Sequence, residues 1–531
     1  MTTIYGTIGN DSLIASTSNR TYDGQGGHDT INAAAATGVT IYNPFASHDI
    51  YTIGSNGNII GSETGNDSIA LVAGTMHDTI DTQAGGNDTI NAGAALGQVL
   101  VAAFGDTVGH NLITLGAGNS EVRLGGPGFD TINAGSGNNL INEFYVNVLD
   151  DPHSIFLRDS ITGGPNSIIL GGGNNTFVGS GFFTLNDSLT AGNGNNNIDT
   201  QLSVDIVIKL GNGNNSLYLH GGYPVASYPD QVTVGSGNNT IIGSQGSDIF
   251  TLGGGSNYID AQGSLPETKT INITGGSGSN TIIGGLGANT ISITGGSGHD
   301  VLYGNVSNDT IATGTGFDII DGEGGFNNIT ANGHALIYVG TVAMAADSIT
   351  GNANDTVSAN YSTQAVKIIL AATVSITHGS SADSVTGVDS VAGVTNYILS
   401  QFNDTVTAAT GAVEYSITAG PGNNSISFVG NTGEDTFVAG SGNSTATAGS
   451  GGNDFYAGYG NSVFNLGSGA DEVYYNNYVL NANGTLKASG TNSPTTTVNN
   501  FVHGSDEIIL DSTTCPPELR RKLRRYCKPR Y

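Results

Sequence analysis

A large apolar residue recurs about every nine positions in the most regular part of this chain, and glycine, asparagine and aspartate fill many positions between. The segment Gly295–Tyr303 shows the pattern fully, with the order Gly-Gly-Ser-Gly-His-Asp-Val-Leu-Tyr. Its glycines allow a sharp turn, because they adopt backbone angles that other residues avoid. The apolar residue, Leu302, then lies on a strand of two or three residues and points inward. The pattern predicts turns alternating with very short strands.

The period of this pattern predicts the fold. Between residues 280 and 327 the polar motif position recurs nearly every nine residues, at Asn280, Asn289, Asp300, Asp309, Asp318 and Asn327. Two such units make one coil of about 18 residues, and coils stack at the strand spacing of roughly 4.8 Å. We therefore predict an all-β fold, an elongated parallel β-roll or β-solenoid with two nonapeptide repeats per coil.

The complete motif G-G-x-G-x-D-x-U-x, where U is large and apolar, occurs at Gly295–Tyr303 and again at Gly125–Asn133. With these copies and the tandem run, the chain resembles the RTX family of hemolysin-type calcium-binding repeat proteins. Full or near matches cover most of the chain from Gly6 to Val473, without an attached catalytic domain. The resemblance implies a parallel β-roll with Ca²⁺ held between stacked glycine-rich turns.

Aspartates in adjacent coils of one edge are the candidate calcium ligands, because Ca²⁺ takes six to eight oxygen ligands. Residues 18 apart lie above one another, so Asp300 and Asp318 share an edge and form the first candidate site. The carbonyl oxygens expected to complete this site belong to Gly296, Gly298, Gly314 and Gly316. Asp309 lies on the opposite edge, together with Asn289 and Asn327.

A second candidate group lies in the later repeats. Asp435, Asp454 and Asp471 are spaced by 19 and 17 residues and are predicted to share one edge. The opposite edge there carries Asn424, Ser444 and Ser462, without charge. Asp88 and Asp130 are further candidates, although neither has a clear carboxylate partner 18 residues away. The alternative for all these aspartates is a solvated turn residue, since aspartate is common in turns.

Residues 135–260 differ because asparagine replaces aspartate at the motif position. Stacked asparagines can hydrogen-bond one coil to the next as a ladder, and a neutral ligand set lowers calcium affinity. We expect this block to fold largely without metal. In the Asp-rich blocks stacked carboxylates repel each other until a cation separates them, so metal binding and folding are expected to be coupled.

The motif density divides the chain. A repeat solenoid is predicted for residues 1–340, with its most regular block at 275–329. Residues 341–410 contain few glycines and are predicted to be a degenerate solenoid or an insertion. A second repeat block spans 411–476, and a post-repeat segment spans 477–514. Residues 515–531 form a basic tail that contains both cysteines, Cys515 and Cys527.

Charge and composition exclude several functions. The chain of 531 residues has 43 acidic and 14 basic residues, and seven of the basic ones lie in the tail. Such an acidic body is not expected to bind nucleic acid or anionic membranes, but it suits a cation-binding protein. No apolar stretch approaches membrane-spanning length. The N-terminus shows no leader segment, so the resemblance implies leaderless, type I-like secretion, although a C-terminal signal is not evident.

No catalytic motif is present, and we expect no enzyme activity. The predicted function is that of a secreted, extracellular calcium-binding repeat protein with a structural or adhesive role. The alternative is a calcium-independent solenoid, held by asparagine ladders, that acts as a surface or matrix protein. A polysaccharide-active β-helix enzyme is a third interpretation. Calcium is the expected partner, with cell-surface or matrix polysaccharide and end-to-end self-association as further candidates.

Overall fold

The computed structural model describes residues 2–43, 45, 48–54, 58–60, 65–72, 77–82, 86–104, 110–125, 130–143, 167–179, 187–200, 205–220, 229–244, 246–261, 270–285, 290–340, 346–378, 388–475, 478–480, 486–488 and 495–510. Within these ranges the regular structure is β-strand, and no helix occurs that could span a membrane. Two compact units divide the chain, Met1–Gly285 and Leu286–Tyr531.

Unit 1 is built from short strands. They are, in chain order, β1 (Thr3–Tyr5), β2 (Ser12–Ile14), β3 (Thr21–Asp23), β4 (Thr30–Ala33), β5 (Thr40–Tyr42), β6 (Ile50–Ile53), β7 (Asn58–Ile60), β8 (Ser68–Leu71), β9 (His77–Asp81), β10 (Thr89–Ala92), β11 (Gln98–Phe104), β12 (Leu112–Leu115), β13 (Ser120–Gly125), β14 (Thr131–Asn133), β15 (Leu140–Glu143), β16 (Ser167–Leu170), β17 (Thr176–Val178), β18 (Ser188–Ala191), β19 (Asn197–Asp199), β20 (Val207–Leu210), β21 (Ser216–Tyr218), β22 (Gln231–Val234), β23 (Thr240–Ile242), β24 (Ile249–Leu252), β25 (Tyr258–Asp260), β26 (Thr270–Thr274) and β27 (Thr281–Ile283).

These strands form two parallel sheets. The odd-numbered strands pair in order from β1 to β27, and the even-numbered strands pair in order from β2 to β26. Each coil therefore contributes one strand to each sheet. Partners are 18 residues apart where Thr3 faces Thr21, but 23 apart where Thr89 faces Leu112. The extra residues lengthen the connections between strands and leave the pairing intact, because surface loops tolerate added length at little thermodynamic cost.

The core of unit 1 is a stack of inward-facing aliphatic side chains. Ile31, Ile90, Ile132 and Ile241 are fully buried, and their strand neighbours face outward. This alternation follows from the pleat of a strand, which turns successive side chains to opposite faces. Burial of each isoleucine side chain stabilises the folded state by about 1.5–3 kcal/mol relative to leaving it exposed.

Unit 2 repeats this plan with two interruptions. Its strands are β28 (Thr290–Thr294), β29 (Val301–Asn305), β30 (Thr310–Ala312), β31 (Phe317–Glu323), β32 (Asn328–Thr330), β33 (His334–Tyr338), β34 (Ser348–Thr350), β35 (Thr356–Ser358), β36 (Val366–Leu370), β37 (Thr373–His378), β38 (Val388–Ala392), β39 (Asn396–Ile398), β40 (Thr405–Ala408), β41 (Ser416–Thr418), β42 (Ser425–Ser427), β43 (Thr436–Val438), β44 (Ser444–Thr447), β45 (Asp454–Tyr456), β46 (Ser462–Asn465), β47 (Glu472–Tyr475), β48 (Tyr478–Leu480), β49 (Leu486–Ala488), β50 (Thr496–Asn499) and β51 (Glu507–Leu510).

Both interruptions contain antiparallel strand pairs. Strand β37 pairs antiparallel with β36 and with β38, so two extra strands enter a sheet whose other pairings are parallel. The second is the hairpin of β48 and β49, after which β50 and β51 resume parallel pairing with β46 and β47. Both insertions separate neighbouring coils in sequence while keeping them adjacent in space.

The predicted all-β solenoid of stacked parallel coils is confirmed in each unit. The predicted coil of about 18 residues holds in the regular repeats, for example between Thr310 and Asn328. Asn289 and the tail 515–531, with both cysteines, lie outside the described residues.

Candidate metal centres

The first candidate pair is stacked as the sequence predicts. The backbone N–H of Asp300 donates a hydrogen bond of 2.9 Å to Oδ1 of Asp318 in the next coil. Both side chains are buried, with 1% and 0% of their surface exposed. Oδ2 of Asp300 lies beside the glycine-rich turn of its own coil, since a Cβ on Gly295 would come within 2.9 Å of it. The two carboxylates therefore occupy successive turns of one edge.

The glycines of these turns are needed because the coils approach closely. A Cβ on Gly314 would lie 1.1 Å from the carbonyl oxygen of Gly296, and one on Gly316 would lie 1.9 Å from that of Gly298. Gly316 also has φ of 141°, which glycine adopts readily and other residues rarely. The carbonyls of one turn thus point at the next turn.

Two of the four predicted carbonyl groups already accept backbone hydrogen bonds. Gly296 O accepts from Thr315 N at 2.9 Å, and Gly316 O accepts from His334 N at 2.9 Å. A carbonyl oxygen has two lone pairs, so each keeps one for a second partner.

Unit 1 contains a longer acidic column that the sequence reasoning recognised only in part. In each step the backbone N–H of one residue donates to Oδ1 of the next, over 2.6 to 3.1 Å. The members of this aspartate column are Asp11, Asp29, Asp49, Asp67, Asp88, Asn111 and Asp130.

Asp88 therefore has a carboxylate neighbour, which corrects the sequence interpretation. Asp67 precedes it by 21 residues rather than 18, because the connection between them is longer. Asp130 is preceded in the column by Asn111, at a separation of 19 residues.

Burial and like charge disfavour ionisation of Asp88 and Asp29 in this column. Burial, followed by the negative charges of Asp67 and Asp130, raises the pKa of Asp88 to about 7. Burial also raises the pKa of Asp29, with smaller contributions from Asp49 and Asp11. Such shifts show that the environment disfavours the charged form, and a nearby cation would relieve them.

The asparagine ladder expected between residues 135 and 260 is present. Each Nδ2 donates to Oδ1 of the asparagine in the next coil, over 2.7 to 3.0 Å. The members of this asparagine ladder are Asn139, Asn175, Asn196, Asn215, Asn239, Asn257 and Asn280.

The ladder also shows where a cation would fit in an aspartate coil. Besides reaching the next coil, Nδ2 of Asn139 donates to the carbonyl oxygens of Gly137 at 2.8 Å and Gly135 at 3.2 Å. One positively polarised amide group thus lies among two turn carbonyls and the side-chain oxygen of the next coil. An aspartate offers no such donor, so the same oxygens would surround a place suited to a cation.

The other edge of the asparagine-ladder coils is not neutral, which the sequence reasoning missed. Asp187, Asp230 and Asp248 are buried there. Burial, and then the charge of Asp248, raises the pKa of Asp230.

In unit 2 the edge of Asp309 differs from its prediction. Strand register places Ile291 in the coil before Asp309, two residues beyond the predicted Asn289. Oδ1 of Asp309 accepts from Ile291 N at 2.9 Å, and Oδ2 accepts from Asn305 N at 2.7 Å. Asn327 follows, as predicted, with its Oδ1 accepting from Asp309 N. Asp309 thus has no stacked carboxylate on either side.

The predicted stacking of Asp454 with Asp435 and Asp471 is wrong. Asn453 occupies the column, accepting from Asp435 N and donating to Oδ1 of Asp471. Asp454 begins β45, pairs with Thr436 and Glu472, and faces outward. Spacings of 19 and 17 average to 18 but place the middle residue one position off, and one position reverses the face of a strand.

Unit 2 contains two further carboxylate pairs that the 18-residue spacing hides. Asp471 N donates to Oδ1 of Asp506, 35 residues away across the β48–β49 hairpin. Asp347 N donates to Oδ1 of Asp389, 42 residues away across the β36–β37 insertion. The uncharged stack of Asn424, Ser444 and Ser462 is present, and Asp404 precedes it.

Among the described residues no three or more His, Cys, Asp or Glu side chains converge to hold a metal. A metal in these turns would therefore need two stacked carboxylates together with turn carbonyls. Oxygen ligands of this kind are those that Ca²⁺ prefers.

Comparison with known families agrees with this geometry, while no curated protein matches the chain. The family described as RTX calcium-binding nonapeptide repeat (4 copies) matches residues 2–31, 124–142, 227–261, 274–311, 292–320, 416–446, 429–464 and 447–477. The matched segments include Asp300 with Asp318 and Asp435 with Asp471. The chain therefore contains RTX calcium-binding nonapeptide repeats in both units.

Proposed function

We propose that this protein binds Ca²⁺ between stacked turns of its aspartate coils, with Asp300 and Asp318 as the first site. The observation that carries the proposal is their stacking, since two buried carboxylates occupy successive turns and the glycine carbonyls of one turn point at the next. Carboxylate and carbonyl oxygens would hold the ion, and its charge would offset the repulsion between the two aspartates. The carbonyls of Gly296, Gly298, Gly314 and Gly316 belong to this proposed ligand set.

The proposal extends to other stacked pairs. In unit 1 the run from Asp11 to Asp88 provides consecutive carboxylates in five coils. In unit 2 Asp471 stacks directly on Asp506, whereas Asp435 is separated from Asp471 by Asn453. Asp130 and Asp309 have no carboxylate in the adjacent described coils, so we expect weaker binding there, because affinity follows ligand charge.

Calcium binding and folding of the aspartate coils are proposed to be coupled. Unfolded carboxylates are separated and solvated, whereas folding buries them in adjacent coils. The raised pKa values of Asp29 and Asp88 support this view, because burial is the first cause of both shifts. A cation that binds only the folded stack stabilises it by mass action.

The asparagine ladder supports the alternative function for part of unit 1. Its amide groups satisfy the turn carbonyls and the next coil internally, so this edge needs no metal. We propose that this segment of unit 1 is stable on its own without calcium. The biological role proposed for the whole is structural or adhesive and extracellular, supported by the RTX family match and the acidic composition. Cell-surface or matrix polysaccharide is the proposed partner class.

Isothermal titration with Ca²⁺ tests the first site. Asp300→Asn and Asp318→Asn should each reduce the number of bound ions or weaken binding at one site about tenfold or more, since each removes one ligand charge. Asp321→Asn is the matched control, because Asp321 lies in the same strand as Asp318 but faces the opposite way. Equal calcium binding by all three variants and the unmodified protein would contradict the assignment.

A further inference from the structure

One buried carboxylate pair in unit 2 is held differently from the others. Asp347 and Asp389 stack like Asp300 and Asp318, with a hydrogen bond of 2.9 Å from Asp347 N to Oδ1 of Asp389. Oδ2 of Asp389, however, lies 2.8 Å from Nε2 of His378. An ionised Asp389 only accepts hydrogen bonds, and Nε2 then carries the proton and donates it.

In the Asp471–Asp506 pair the second carboxylate oxygen of each aspartate points into the turn of its own coil. Oδ2 of Asp471 accepts from Gly467 N at 2.8 Å, and Oδ2 of Asp506 accepts from Val502 N at 2.7 Å. At Asp389 the donor is instead a basic ring that comes from a neighbouring strand. The difference is therefore a feature of the insertion and not of the repeat.

The fold supplies both the ring and the space for it. His378 ends β37, the antiparallel strand of the insertion, and its side chain is 7% exposed beside a fully buried Asp389. Gly340 makes room, because a Cβ there would lie 2.5 Å from Nδ1 and Cε1 of the ring. Its φ of 71° is in the left-handed region that favours glycine.

The pair needs a compensating positive group. Burial, and then the charge of Asp389, raises the pKa of Asp347 to about 7, with a smaller contribution from Asp321. Two buried acids in contact range disfavour each other's ionisation. The imidazole is the basic group that lies against them.

In the asparagine ladder the Nδ2 group donates hydrogen bonds to the turn carbonyl and to the side-chain oxygen of the next coil. These are the oxygens that would otherwise bind a cation. We propose that His378 takes, at Asp389, the place of the calcium ion, so that the Asp347–Asp389 pair folds without metal. This inference rests on the proposed calcium sites of the other aspartate pairs. The coils at the insertion then fold without calcium, although in sequence they lie between the Asp300–Asp318 pair and the Asp471–Asp506 pair of unit 2.

Hydrogen exchange of the full chain tests this role. The informative amides are Asp347 N–H, which donates to Asp389, and Ser390 N–H, which donates to the Asp347 carbonyl. In the unmodified protein both should exchange equally slowly in EDTA and in calcium. In His378→Ala they should exchange about a hundredfold faster in EDTA, because a buried charge has lost its partner. Calcium should restore their protection by occupying the vacated place.

Three outcomes would overturn the proposal. The first is that calcium slows exchange of the two amides in the unmodified protein. The second is that His378→Ala leaves their exchange rates in EDTA unchanged. The third is that calcium does not restore the protection lost in His378→Ala. His334→Ala, an exposed histidine of the same unit, is the control. If His378→Ala does not fold, His378→Ala combined with Asp389→Asn should fold in EDTA, because the charge needing compensation is gone, and failure of that variant also overturns the proposal. Calcium-insensitive exchange at Asp300 in the same sample would instead contradict the proposed function.

Discussion

The aspartate column of residues 11–130 and the asparagine ladder of residues 139–280 use one backbone geometry with different chemistry. In both, a backbone N–H of one coil donates to Oδ1 of the next, for example from Asp67 to Asp88 and from Asn196 to Asn215. The second side-chain atom differs. Nδ2 of Asn196 donates to Oδ1 of Asn215 and to its own turn, whereas an aspartate presents a second oxygen. With N–H at this position the coil satisfies its turn oxygens by hydrogen bonds. With O⁻ it gains stability from a bound cation.

The strongest test of this difference is to place aspartates in the ladder. Asn196→Asp combined with Asn215→Asp would bury two adjacent carboxylates without a donor. We expect the free energy of unfolding in EDTA to fall by about 3–5 kcal/mol, as for an uncompensated buried charge, and calcium to restore part of it. Denaturant unfolding in EDTA and in calcium measures both changes. An equally stable variant in EDTA would show that the Nδ2 hydrogen bonds are not what stabilises the ladder.

The converse change should make the aspartate column less dependent on metal. Asp67→Asn and Asp88→Asn together would reduce the repulsion and supply Nδ2 donors. We expect a gain of about 1 kcal/mol per position in EDTA, the usual net value of a hydrogen bond, and a smaller calcium-induced rise in Tm. Thermal unfolding followed by circular dichroism checks this. Asp199→Asn, on the outward side of β19 beside His220, is the control and should not change the calcium-induced rise in Tm.

Acidification should stabilise the aspartate column in the absence of calcium. The pKa of Asp88 is raised to about 7 in the folded state, so between about pH 4 and 7 the folded protein binds more protons than the unfolded one. Stability in EDTA should therefore rise by about 2 kcal/mol as the pH falls from 8 to 5. Calcium affinity should fall over the same range, because protons compete for the carboxylates. An Asp67→Asn, Asp88→Asn double variant that kept the same pH dependence would contradict this assignment.

The smallest effect is predicted for Asp454, which lies one position away from the column. Asp454→Asn should leave calcium binding intact and should not lower stability, because burial and the charge of Glu472 raise the pKa of Asp454. Asp471→Asn should weaken calcium binding, because Asp471 is stacked on Asp506. Calorimetric titration of the two variants side by side decides which residue belongs to the column, and a larger loss in Asp454→Asn would reverse the register argument.

The repeat period predicts more of the fold than of the sites. Glycine turns and inward apolar residues recur locally, so the parallel coils, the Asp300–Asp318 stack and the asparagine ladder could be predicted. The pairs Asp67–Asp88, Asp471–Asp506 and Asp347–Asp389 could not be found from an 18-residue spacing. The two aspartates of these pairs are 21, 35 and 42 residues apart in sequence. Loop length varies without changing which coils are adjacent.

His378 was beyond any local pattern. It reaches Asp389 through an antiparallel strand inserted in a parallel sheet, and no repeat position marks it. Asp454 failed for the opposite reason, because a nearly regular spacing concealed a shift of one residue. Regular repeats thus predict the fold well, and departures from the repeat determine which side chains meet.

Hydrogen exchange of unit 1 residues, measured in EDTA and in calcium on one sample, tests the central claim most directly. The amides of Asp49 and Asp67 report on the aspartate column, and those of Asn196 and Asn215 report on the asparagine ladder. We predict that calcium slows exchange at the two aspartates by about tenfold or more while the asparagines stay equally protected in both conditions. The same response to calcium in both regions, or in neither, would contradict the account.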